Sequence, residues 1–338
     1  SLSLGPYTVP RLWVGLWQLS SPAWGTAPMS KIKAEMRAHL ASGYTTFADH
    51  YGSAEIIFGQ FRHTTTVPIC ADKWCIFRNP STPMTLESTE EAVRERMRRT
   101  SISDGMDVLQ IHWQDYSNPQ LYLDVFHQLL ELRRSKRLRI DVLGLVNFDT
   151  KRVVEICEAM GPGEVLTNQV QFSLVDVRPL YGMTDACQKH GVKLLTYGTF
   201  CGGFLADKWL GRQQPDPYRD QITPSQRKYL DVILNAWGGW DLFQELLTVL
   251  RTIADRHSTD DDHFSISNVA TRWVLDQPAV GAVIVGARLG VTEHRADNAR
   301  VFKLHLTTED KQAISAILQR SHGHDLIRVM GDCGAEYR

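Results

Sequence analysis

The feature that most constrains this chain is the regular return of short, β-rich apolar runs, each followed by a segment of helical period. The runs are LWVGLWQL (12–19), YTTF (44–47), VPICADKW (67–74), MDVLQIHW (106–113), IDVLGLVNF (140–148), VLTNQVQF (165–172), VKLLTYG (192–198) and GAVIVG (281–286). Most are apolar without strict alternation, as expected of strands buried on both faces of a parallel sheet. Eight strand–helix alternations predict an α/β fold of the (β/α)8 TIM-barrel kind. A doubly wound sheet would alternate in the same way. It usually carries a Gly-rich phosphate turn after its first strand, and LWQLSSPAWG is not GxGxxG.

The segments between the runs carry helix punctuation. Ser30 reads as an N-cap before KIKAEMRAHLAS, where Ile32, Met36 and Leu40 share a face, and Gly43 reads as the stop. Asn118 followed by Pro119 opens QLYLDVFHQLLELRRSK as cap and first helical residue. Thr223 and Gln226 form a capping box before RKYLDVILNAW. A long polar stretch, roughly 205–243, follows the seventh strand and on a barrel would lie over the C-terminal mouth, as a lid or as a surface excursion. The expected organisation is one barrel domain over 1–338 with a C-terminal tail from about 321.

Composition narrows the function classes. With 43% hydrophobic residues, 22% charged and a net charge of −1, the chain has no field that would favour nucleic acid or an anionic membrane. No run of about 18 apolar residues suggests a membrane span, and the first residues lack a signal-peptide pattern. The six cysteines form no zinc-type pairs and read as free thiols, which fits a cytoplasmic setting. A small-molecule substrate is the expected partner; no metal is expected, and the oligomeric state is not readable.

Barrel enzymes place reactive groups at strand C-termini. Those ends here carry Tyr51, Lys73, His112, Asn147, Gln169 with Asn168, Tyr197, and Arg288 after the eighth strand. A carbonyl that accepts hydride gains charge on oxygen and needs a proton. A phenol can supply one if an ammonium stabilises the phenolate, so Lys73 can tune Tyr51. His112 can donate to the same oxygen. Asn147 and Gln169 suit a carboxamide, Tyr197 can stack on a ring, and Arg288 before a helix expected at 291–300 suits phosphate. Each of these residues alone has a plainer reading: a loop tyrosine, a solvated lysine, a half-buried histidine, strand-end amides, a core-rim tyrosine, a surface arginine. Their convergence on one barrel face favours the functional reading. Trp17, Trp24, Trp74 and Trp113 also lie near strand ends and could wall an aromatic pocket or pack as barrel-end core.

With these residues in view, the chain resembles the aldo-keto reductase superfamily over nearly its whole length, most of all its fungal reductase-like proteins. The motifs are GLWQLSSPAWG, GYTTFADHYGSAEIIFG, DKWC, LQIHWQDYSNP, LGLVNFDT, NQVQFSLVDVRP, YGTFCGGFLADKWLG and VIVGARLGVTEHRADN. The resemblance implies a barrel that binds NADP(H), reduces aldehydes or ketones, and uses an Asp–Tyr–Lys–His tetrad. It assigns Tyr51 as acid, Lys73 as its partner and His112 as the orienting group. It places Asn147, Gln169 and Tyr197 at the nicotinamide, and Arg288, His294, Asp297 and Asn298 at the adenosine phosphate.

The sequence also departs from that family. The pattern GxTTFDxADxYG is here GYTTFADHYG, so two residues are missing between Phe47 and Ala48, the tetrad aspartate among them. Asp49 lies two residues before Tyr51 rather than five, and Asp72, adjacent to Lys73 on a strand, is expected to face the other way. The shortened turn could also displace Tyr51. Val146 replaces a small polar residue, and His294 a commoner Arg or Gln, which leaves the choice of NADPH over NADH open. Three functions share these residues: a carbonyl reductase with a degenerate tetrad; a non-redox isomerase, dehydratase or cyclase that has lost the use of NADP(H); or a non-catalytic binding protein. The fungal resemblance is compatible with a place in secondary metabolism, which no residue of the chain shows.

Overall fold

The computed structural model describes residues 1–65, 68–220 and 222–338, with the side chains of Asp49 and His50 outside the description. An antiparallel hairpin, β1 (Leu2–Leu4) and β2 (Tyr7–Val9), precedes eight parallel strands that close into a barrel. These are β3 (Leu12–Gly15), β4 (Thr46–His50), β5 (Ile69–Ile76), β6 (Met106–Trp113), β7 (Ile140–Val146), β8 (Thr167–Gln171), β9 (Lys193–Tyr197) and β10 (Val280–Gly286), each paired with its sequence neighbours and β10 with β3. The helices are α1 (Met29–Ala41), α2 (Ser53–Arg62), α3 (Leu86–Arg99), α4 (Pro119–Arg134), α5 (Thr150–Met160), α6 (Met183–His190), α7 (Pro224–Val232), α8 (Gly239–His257), α9 (Ile266–Leu275), α10 (Arg295–Ala299), α11 (Thr308–Arg320) and α12 (Leu326–Met330). This is the (β/α)8 barrel that the alternation of runs implies.

Strand alternation builds two cores. Inward residues Trp13, Ala48, Ala71, Val108, Val142, Leu195, Ala282 and Ile284 pack together with Leu4 and Val9 of the hairpin. Outward residues of the same strands, such as Cys70, Trp74, Leu109, Ile111 and Trp113, pack against the helices. The hairpin, which the sequence reading missed, thus plugs the N-terminal end. Its Tyr7 hydroxyl bonds Asp107 at 3.3 Å and also Asp141, which pairs with Arg139.

Punctuation behaves largely as the sequence suggests. Asn118 caps α4 through the Gln120 amide with Pro119 at its first position, and Thr223 and Gln226 form the capping box of α7. Ser30 is a correction: α1 begins at Met29, Pro28 takes the cap position without a side-chain bond, and Ser30 lies inside the helix. The polar stretch after β9 is not loop throughout. It contains α7, which runs on into a wide turn over Ile233–Trp237. Beyond α12 the chain crosses the C-terminal mouth. Arg178, only 1% exposed, fixes that crossing through Asp176 at 2.8 Å and Glu336 at 3.0 Å. A guanidinium so deeply buried persists because both neighbours are carboxylates.

Candidate active site

The C-terminal ends of the strands surround a cavity of about 1750 Å³. That exceeds the 300–1,000 Å³ or so usual for one small ligand, leaving room for two. Tyr51, Lys73, His112, Asn147, Gln169, Tyr197, Arg288, His294, Asp297, Asn298 and Trp24 all line it. Eleven expected site residues from eight segments of the chain therefore share one hollow.

Trp74 and Trp113 are corrections. Trp74 packs outward, with the Arg96 guanidinium 5.6 Å from its ring, and Trp113 sends its indole N–H to Asn79 Oδ1 and to the Asp115 carbonyl, both at 2.9 Å. The reason is the period of two along a strand: if Lys73 and His112 point inward, the residues after them point outward. Cys75, one further along β5, points back into the cavity.

Tyr51 keeps its place on the cavity wall despite the shortened turn. A register shift between Ala48 and His50, against Ala71 and Asp72 of β5, accommodates the strand end. Gly52 follows with φ +61, a conformation that suits glycine. The Lys73 ammonium lies 5.9 Å from the Tyr51 ring centroid. The Trp17 indole N–H donates to the Tyr51 hydroxyl at 3.2 Å. Trp17 packs edge-on against Trp24 at 4.5 Å, and the Trp24 indole N–H donates to Ser225 Oγ, at the start of α7, at 3.1 Å. The stretch after β9 is thereby tied to the tyrosine. Asp49, the nearby carboxylate of the sequence reading, has its side chain outside the described residues. Asp72 is fully buried and faces away from the cavity, as strand alternation requires; burial and then Glu55 push its carboxyl well above the usual range.

His112 is buried, and its Nε2 has no hydrogen-bond partner among the described residues. Burial first, then Lys73 and Arg338, hold its ionisation down to about 3, so the ring is neutral near pH 7. Nδ1 lies 3.9 Å from Cys75 Sγ. With the thiol donating there, Nε2 carries the hydrogen.

The other half of the cavity holds amides and cations. Asn147, at φ +58, accepts on Oδ1 from the Tyr197 hydroxyl at 2.8 Å. Asn168, by contrast, points away and staples the Phe148 carbonyl at 3.0 Å, the plain reading of a strand-end amide. Val146 is buried. Arg288 and His294 lie on the segment before α10, which starts at Arg295 rather than at 291. Asp297 Oδ2 accepts from Ser265 Oγ at 3.0 Å, so that carboxylate ties α10 to the start of α9.

Sequence reading missed the crossing segment 331–338. The Tyr337 hydroxyl meets that of Tyr197 at 3.1 Å, and its ring stands edge-on to His112 at 5.7 Å. The Arg338 guanidinium donates to the Asn147 carbonyl and lies 4.1 Å from the Tyr116 ring centroid. Gly334, at φ +79, allows this approach, because a Cβ there would sit 2.1 Å from the Asn147 carbonyl oxygen. A glycine, a tyrosine and an arginine in a tail give no periodic signal that could have announced it.

Comparison with known proteins gives the family and the fold. Residues 11–319 match the sequence profile of the aldo/keto reductase family. The aldo-keto reductase YhdN of Bacillus subtilis is 22% identical over 92% of this chain and 90% of its own length. Flagellar radial spoke protein 5 of Chlamydomonas reinhardtii is 28% identical over 62% of this chain, and the match spans 42% of that protein. Among solved structures, glycerol dehydrogenase from Gluconobacter oxydans superposes with a TM-score of 0.74 at 22% identity over 98% of this chain and 96% of its own. An aldo/keto reductase from Klebsiella pneumoniae, in complex with NADP and acetate, has a TM-score of 0.64 at 18% identity over 93% and 94% of the two chains.

Proposed function

Because the chain belongs to the aldo/keto reductase family, we propose that it reduces the carbonyl group of an aldehyde or ketone with NADP(H), using Tyr51 as proton donor. The observation that carries this reading is the neutral His112, buried in the wall of the same cavity as Tyr51 and Lys73, with no hydrogen-bond partner for Nε2 among the described residues. The donor set also fits the cofactor. Asn147, Gln169 and Tyr197 offer amide and hydroxyl groups for a carboxamide, and Arg288, His294 and Asn298 offer a cation and hydrogen-bonding groups for phosphate. Asp297 acts behind them by holding α10 in place. When bound, NADP(H) supplies the hydride.

The residues of the chain supply the rest. His112 orients the carbonyl oxygen through Nε2–H. Tyr51 gives its proton to the alkoxide that develops. The Trp17 N–H and the Lys73 ammonium stabilise the resulting phenolate. In this reading the tetrad is degenerate: the aspartate five residues before Tyr51 is gone, and the indole hydrogen bond takes over part of its orienting role. Trp17, Trp24 and Phe77 line the cavity, which suits an aryl or polycyclic carbonyl compound.

Titration with NADPH, read by quenching of tryptophan fluorescence, tests the cofactor half. Saturable binding in the micromolar range is expected, and an absence of binding would overturn the reading. A non-redox use of the same pocket has one observation in its favour: the segment 331–338 contacts both Asn147 and Tyr197.

A further inference from the structure

Two phenol–ammonium pairs flank the cavity. One is Tyr51 with Lys73, on β4 and β5. The other is Tyr337 with Lys228, from the crossing segment and α7. The Lys228 ammonium donates to the Tyr337 oxygen at 3.3 Å and to Gln171 Oε1 at 2.8 Å. Glu336 lies 3.9 Å from the same ammonium and is itself held by the buried Arg178. The Tyr337 ring stands against the His112 imidazole, and Tyr337, Lys228 and His112 all line the one cavity. A phenol beside an ammonium thus recurs on elements unrelated to β4 and β5, here with a carboxylate as well, and both pairs line the cavity that His112 lines. Nothing in packing requires this. A tail fastened only for stability would need Arg178 and its two carboxylates and no hydroxyl at the mouth.

We propose that Tyr337 is a second acid–base residue of this pocket, with Lys228 and Glu336 as its positioning residues. Its reaction is proton transfer at the carbon next to a bound carbonyl. The substrates are enolisable ketones and aldehydes. The inference rests on the reading that Tyr51 and His112 hold the carbonyl oxygen, but it needs no hydride.

The step balances without an oxidant or a reductant. The Tyr337 phenolate, stabilised by the Lys228 hydrogen bond, takes a proton from the α-carbon. The C–H electron pair becomes the C=C bond, and the carbonyl π pair moves onto oxygen, where the Tyr51 hydroxyl and His112 Nε2–H receive it. Reversal returns a proton from Tyr337 to carbon. Between the two events Lys228, whose side chain is 36% exposed, exchanges protons with water. This enolisation is the elementary step shared by isomerisation and dehydration of hydroxycarbonyl compounds.

The test uses the full chain without nicotinamide, with 4-phenyl-2-butanone in deuterated buffer and proton NMR of the α-hydrogens. The wild type is expected to exchange them well above the buffer rate. Tyr337→Phe and Lys228→Met are each expected to lower that rate about a hundredfold, the usual scale for one acid–base group. Lys228→Arg should restore part of it, and Lys228→Met should move the basic limb of the pH–rate profile. The partly exposed Lys228 serves as the second variant should Tyr337→Phe fail to fold. Wild-type exchange no faster than buffer, or exchange undiminished in both variants, overturns the proposal. NADPH-dependent reduction of benzaldehyde, which has no α-hydrogen, separates the two readings. Exchange without that reduction sinks the reductase reading and keeps this one; reduction without exchange does the reverse.

Discussion

The two ends of the barrel handle ionisable groups in opposite ways. At the N-terminal end every charge of the central cluster has a partner: Asp107 with Arg62 at 2.8 Å and the Cys70 amide at 3.0 Å, Asp141 with Arg139 and Tyr7. The hairpin closes that end with apolar residues. At the C-terminal end the imidazole of His112 is just as dry but keeps a nitrogen with no partner among the described residues, beside a cavity lined with phenols, amides and ammonium groups. Paired charges at one end hold it rigid; a dry imidazole beside the cavity at the other marks where a ligand completes the structure.

Substitutions at the two ends should therefore separate stability from chemistry. The largest stability effect is expected at the closed end. Asp107→Ala removes the buried carboxylate that holds the half-buried Arg62 and the Cys70 amide, and should cost about 1–3 kcal/mol of unfolding free energy, measured by urea denaturation, while NADPH affinity of the folded protein holds. A large loss of affinity without loss of stability would break the contrast.

At the open end, stability should respond to pH through His112. Its ionisation lies at about 3 in the folded protein, against an ordinary 6.5. Above pH 6.5 neither folded nor unfolded chain is charged there, and the residue adds no pH dependence. Between 6.5 and about 3 only the unfolded chain takes up the proton, so stability falls as pH falls, by at most about 1.4 kcal/mol per unit. His112→Gln should flatten the stability curve in that window, as read by denaturation at a series of pH values. An unchanged slope would mean that the imidazole is not dry.

A smaller effect is expected from Trp17→Phe, which removes one hydrogen bond to Tyr51. A loss of about 1 kcal/mol, or roughly fivefold in kcat, follows, with KM for the aldehyde less affected. The smallest contrast is between two indoles. Trp24→Phe, on the cavity wall, should raise KM for an aryl aldehyde, whereas Trp74→Phe, packed outward, should leave it within about twofold.

Most of the barrel could be read from the sequence, because a strand buried on both faces must be written in apolar residues and a helix must be capped. All eight apolar runs became barrel strands. The tips of those strands were equally legible, since Lys73, His112, Asn147, Gln169 and Tyr197 fall within the runs and Tyr51 four residues past one. What the sequence hid was orientation and distance. Trp74 and Trp113 adjoin Lys73 and His112 in the chain yet face the helices, a consequence of the two-residue period that the proximity of a residue to a strand end does not reveal. The hairpin at 2–9 is too short to show a period. Tyr337 meets Tyr197 across 140 positions of sequence, and only the closed path of the chain brings them together.

The central claim is that the open end performs proton-coupled carbonyl reduction with Tyr51 as the acid. Steady-state oxidation of NADPH by benzaldehyde, followed at 340 nm for wild type and Tyr51→Phe, tests it most directly. The account predicts turnover by the wild type and a fall in kcat of about a hundredfold or more in the variant, with NADPH affinity retained. NADPH binding without turnover, or a variant as fast as the wild type, would contradict it.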